Sequence, residues 1–210
     1  MKANLHGLNE KQREAFAKIN ALLGLGPDEC TFLFAEESGN GHPSNLVLSG
    51  NPEVSHITPL LIPTGSIADL RRLAGYDSIL PKPAVREEDE RHYPGKATEE
   101  DLGLLKTQDK SMKPSVSKNL EERIRMAAVA YVMLDPERVR DYVPLINATM
   151  FPGTVAAFVT DNLEVATGEI FTIKSDVPVV VNFGTVTVHP GGSIYVDANC
   201  TFNCQEFIQL

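Results

Sequence analysis

A chain of 210 residues, 42% hydrophobic and 22% charged, has the composition of a soluble globular protein. It is long enough to bury a core without disulfides or metal. Its net charge of −9 and pI near 5.0 argue against extended contact with nucleic acid or anionic lipid. Three cysteines and the polar start MKANLHGLNEKQREAF point to a reduced, cytoplasmic protein with no signal peptide, and no apolar run approaches the roughly 20 residues of a membrane span.

From the N-terminus, residues 9–23 read as a helix. Asn9 can cap it with Gln12 as reciprocal partner, Leu8 can staple its entry, and Phe16, Ile19 and Leu22/Leu23 share one face. Gly24 and Gly26-Pro27 stop it. Cys30–Ala35 and Asn45–Leu48 read as short strands joined by the loop EESGNGHPS, and residues 54–62 as an extended stretch broken by Pro59. Ser66 can cap a second helix, IADLRRLAG, that ends at Gly75.

Residues 76–118 differ in kind. They hold Pro81, Pro83, Pro94, Pro114 and the charge run REEDER, with one short helix expected after Thr98, where TEED is a capping signature. A long excursion of this sort is usually a lid, an arm or a linker. From Leu120 to Leu134 the apolar residues Leu120, Ile124, Ala127, Tyr131 and Leu134 recur at helical spacing, with Asn119 and Glu122 as the expected cap pair. Asp135-Pro136 ends that helix and can start another turn, PERVRDY; beyond Pro144 and Pro152 the chain reads as strand and turn.

The last third carries short β-branched segments at a nearly even beat, about the length of a short strand plus a corner. The apolar pairs are Leu163/Val165, Ile170/Ile173, Val179/Val181, Val186/Val188, Ile194/Val196 and Phe202/Phe207. A β-solenoid with three strands per coil explains the beat. A shift of roughly 22 to 24 residues, the length of one such coil, would lay Leu163 over Val186, Val165 over Val188, Ile170 over Ile194, Val179 over Phe202 and Val181 over Cys204. The alternative is an antiparallel sandwich or barrel, for which TVTV-HPGG-SIYV would be a hairpin. The preferred architecture is thus α+β. A mixed α/β region (1–75), a charged, proline-containing loop region (76–118) and a helical connector (119–153) precede a β-rich domain (154–210).

Residues 142–210 contain one cation, Lys174, against six carboxylates, so a phosphate-binding groove there is not expected. The strands also lack the lysines that blunt sheet edges. The leading expectation is therefore a non-enzymatic protein that self-assembles, or binds a protein partner, through its β-rich segment. Its interface would draw on Phe171, Val179, Val181, Val186, Val188, Ile194, Val196, Phe202 and Phe207.

Other chemistry is thinly signalled. Tyr195 and His189 could serve a glycan- or small-ligand-binding face. Glu36, Glu37 and His42 share one loop that could make a general acid/base pair for a hydrolase. Cys200 and Cys204, spaced C-x3-C, are a poor metal pair, because a structural zinc wants four ligands; buried hydrophobes are the better account of them. No cofactor is expected.

Overall fold

The computed structural model describes residues 1–33, 45–76, 92–105 and 114–210. Helices and sheets both contribute, an α+β composition. Contacts divide the chain into two compact units, residues 1–62 with 154–210 and residues 63–153. Among the described residues, no helix is long and apolar enough to cross a membrane.

The first unit joins the two ends of the sequence. Helix α1 (Glu10–Leu22) starts with the expected capping box: Asn9 accepts from the Gln12 amide while the Gln12 side chain accepts from the Asn9 amide. The strands are β1 (Val47–Leu48), β2 (Leu60–Thr64), β3 (Gly153–Val165), β4 (Ile170–Lys174), β5 (Val179–Val188), β6 (Ser193–Asp197) and β7 (Cys200–Gln209). They form two sheets, ordered β1-β4-β6 and β2-β3-β5-β7. Pairing is parallel between β1 and β4, β4 and β6, β3 and β5, and β5 and β7. β5 and β6 lie in different sheets, so HPGG is a corner and not the hairpin turn of the antiparallel alternative. Residues 30–33 are not a strand; the Thr31 and Phe32 amides donate to the Val159 carbonyl.

Register gives the stacking in detail. Leu163 pairs with Val186 and Val165 with Val188, a shift of 23 residues. The other expected alignments move: Ile194 stacks on Phe171, Phe202 on Val181, and Cys204 on Phe183. The shift falls to 21 residues between β5 and β7, where Val179 meets Cys200. Corner length is the cause. The chain takes residues 175–178 to pass from β4 to β5 but only Ala198 and Asn199 to pass from β6 to β7. Ile170 is exposed and Phe171 buried, because only residues of one parity along a strand face inward.

The long strands bend once. The ladder skips Asp161 and Gly184 between β3 and β5, and Gly184 and Gln205 between β5 and β7. Inward residues before the bend are Val179, Val181 and Phe183; after it they are Val186 and Val188, so the parity changes there. A Cβ on Gly184 would lie 2.3 Å from the Asp161 carbonyl oxygen, which is why only glycine fits. Phe183 packs edge-on against Phe171 and Phe202, with centroids 6.1 and 5.5 Å away. On the opposite face Asn182, fully buried, donates to the Phe16 carbonyl and to Asn20 Oδ1, tying α1 to β5.

The second unit is helical where described. Helix α2 (Ile67–Leu73) is capped by Ser66, and Gly75 takes the positive φ of 82° expected just past its end. Helix α3 (Glu99–Gly103) begins with a Thr98–Asp101 capping box. Helix α4 (Lys118–Met133) is capped by Ser117 and not by the Asn119–Glu122 pair, two residues earlier than its apolar spacing implies. Arg71 reaches the far end of α4 and donates to the Tyr131, Val132 and Leu134 carbonyls, satisfying acceptors that the helix leaves open. A 3₁₀ helix (Pro136–Tyr142) leads into helix α5 (Val143–Met150), where a strand-and-turn reading fails because Pro144 lies in the first helical turn, where proline is tolerated.

Candidate functional site

The candidate site is the face of the first unit formed by β6 and β7. Among the described residues no strand pairs with the outer edge of either. Inward side chains lose cover on reaching this face. Ile173 is 0% exposed, whereas Val196, its partner on β6, is 45% exposed. Val186 is 0% exposed and Phe207, its partner on β7, 53%. Parallel partners in register share a face of their sheet, so Val196 and Phe207 continue the apolar columns of the core into solvent.

This sorts the expected interface residues. Phe171, Val179, Val181, Val186 and Val188 are buried and serve the core of the chain itself. Ile194 and Phe202 are half-buried, packed on that core from above. Val196 and Phe207 are exposed. The sequence signal that separates the two groups is position along the stack: the exposed residues belong to the last strand of each sheet.

Tyr195 and His189 are not brought together. Tyr195 is exposed on β6. His189 follows β5, in the other sheet, and its Nε2 lies 2.7 Å from Glu164 Oε1. Cys200 and Cys204 both turn toward the core and pack against it. Burial pushes the Cys200 thiol up to about 12 and raises that of Cys204. Burial, reinforced by the nearby Asp161 charge, also pushes Cys30 up to about 12. Such thiols stay protonated and are weak ligands and nucleophiles. No group of three or more His, Cys, Asp or Glu side chains gathers among the described residues. Glu36, Glu37 and His42 lie outside the described residues.

A feature that the sequence did not announce is a cleft of about 410 Å³ at the corners beside β4 and β6. Asn51, Lys174, Asp176, Asp197 and Asn199 contribute to its walls, with Val54 as an apolar patch. Lys174 Nζ lies 3.9 Å from Asp197 Oδ2 across the paired strands. Residues from three separate loops meet there, which no local motif could reveal.

No family model, no curated protein and no solved structure matches this chain.

Proposed function

We propose that this is a non-enzymatic structural or protein-interaction protein that self-assembles through its C-terminal β-rich segment. That segment is read as a short β-solenoid with three legs per coil: two from each bent strand and one from β4 or β6. The parallel registers of 23 and 21 residues support that reading. The observation that carries the function is the continuation of buried columns into exposed Val196 and Phe207. Stacked repeats need a polar cap at their ends to stay soluble alone, and none of the described residues forms one here. Residues 175–210 contain no Lys or Arg to discourage strand pairing. The three free cysteines are compatible with a reducing, cytoplasmic setting.

Light scattering on the purified chain at micromolar concentration tests the reading. An assembly larger than one chain is expected. A strictly monomeric protein would remove it.

The second reading is a small-ligand or glycan module, and the cleft beside Lys174 and Asp197 favours it over a site at Tyr195 and His189. A glycan array with no hits on the wild-type chain would count against it and leave the assembly reading untouched.

A further inference from the structure

The two ends of the strand stack are unlike each other. At one end stand β1, two residues long, and β2, five residues long and interrupted by Pro63. Short strands and proline are standard ways of blunting an edge. The N-terminal segment adds to this: Thr31 Oγ1 accepts from the Val159 amide at 2.9 Å, and the Thr31 amide donates to the Val159 carbonyl. At the other end stands β7, ten residues long, with no proline and no cation, beside the exposed β6. A chain that joined its bare end to the far end of the next copy would have to pair against β1 and β2, which offer little backbone. Like ends fit each other better than unlike ends.

Resting on the assembly reading above, we infer that the β6–β7 face is a closed, two-fold interface between two copies of this chain. The occupant follows from three observations. The exposed columns are apolar and uncharged, and match the composition of the levels beneath them. The undescribed stretches 34–44, 77–91 and 106–113 carry no alternating apolar run of the kind that lines those levels. A second copy brings such a face by definition.

Symmetry then fixes the pairing. A two-fold axis normal to the sheet turns the stack end over end while keeping inward faces inward. It reverses strand direction, so the Cys200–Cys204 leg of one copy runs antiparallel to the same leg of the other. Both legs gain backbone hydrogen bonds, and Val196 and Phe207 are covered. An isologous contact of this kind closes at two subunits, whereas a head-to-tail contact would propagate into a filament.

Sedimentation equilibrium on the full chain tests this, with wild type beside Phe207→Lys, Val196→Lys and Tyr195→Lys. All three positions are exposed, so the fold should survive, and circular dichroism of each variant checks that it does. The expected result is a wild-type dimer with no larger species up to about a hundredfold above its dissociation constant. Phe207→Lys and Val196→Lys should each weaken it at least tenfold. Tyr195→Lys, on the outer face of the same strand, should leave it unchanged. A wild-type monomer overturns both this inference and the assembly reading. Concentration-dependent polymers that Phe207→Lys disperses overturn the two-fold closure alone. A dimer indifferent to Phe207→Lys and Val196→Lys places the contact elsewhere and overturns the interface.

Discussion

β5 and β7 are both ten-residue strands on the same inward columns, yet their fates differ. Eight of ten β5 residues are buried, whereas none of β7 is. The residue types are not the reason, since Phe202 and Phe207 are larger than the valines beneath them. β5 has β3 on one side and β7 on the other, and among the described residues β7 pairs only with β5. Burial in this parallel sheet is thus set by neighbours on both sides, and β7 exposes the same pattern that β5 hides.

Substitutions can sharpen that contrast, starting with the largest effect. Phe183→Ala opens a hole between Phe171 and Phe202 and should cost ~3–5 kcal/mol, measured by urea unfolding. The matching change at the open end, Phe207→Ala, should cost the monomeric fold less than ~1 kcal/mol, because little apolar area leaves the interior. Equal losses at the two positions would break the comparison. Gly184→Ala forces a methyl group against the Asp161 carbonyl and should cost ~1–3 kcal/mol, with a lowered melting temperature as readout.

Next come the paired asparagines. Asn182→Ala removes the donor to Phe16 and Asn20 and leaves buried acceptors unmet, for ~1–3 kcal/mol; Asn203→Ala loses one half-exposed bond to the Val181 carbonyl, for ~1 kcal/mol or less. Chemical denaturation of the two variants side by side checks the order. A pH dependence is a further check. The folded Cys30 and Cys200 thiols sit near 12, above the ordinary 9, so the folded state holds their protons longer than the unfolded chain does. That contribution is complete below pH 9 and fades as pH rises toward 12. The melting temperature should therefore fall between pH 8.5 and 10.5, and fall less in a Cys30→Ala, Cys200→Ala double variant.

Much of this molecule is legible along the chain where the signal is local. The Asn9–Gln12 and Thr98–Asp101 boxes and the Gly75 stop occur where their residues predict, because each needs only a few neighbours. Helix α5 was hidden by Pro144, whose helical tolerance depends on position within the turn. The alignment of Leu163 with Val186 survives, whereas that of Val181 with Cys204 slips, because a difference of two residues between corners carries no compositional mark. The separation of core from surface within the apolar pairs needed the order of strands in space. So did the cleft, assembled from residues as distant as Asn51 and Asn199.

Gly184 has a consequence for how the chain finds its fold. Valines at neighbouring inward positions are nearly interchangeable, so hydrophobicity alone would let β5 slide along β3 by two residues at little cost. The Asp161 carbonyl accepts no side chain opposite it, and glycine occurs once in β5. A slipped pairing would set Asn182 or Val186 against that oxygen. One missing methyl therefore works as a key cut for a single lock position, selecting one alignment from several that the core would otherwise tolerate.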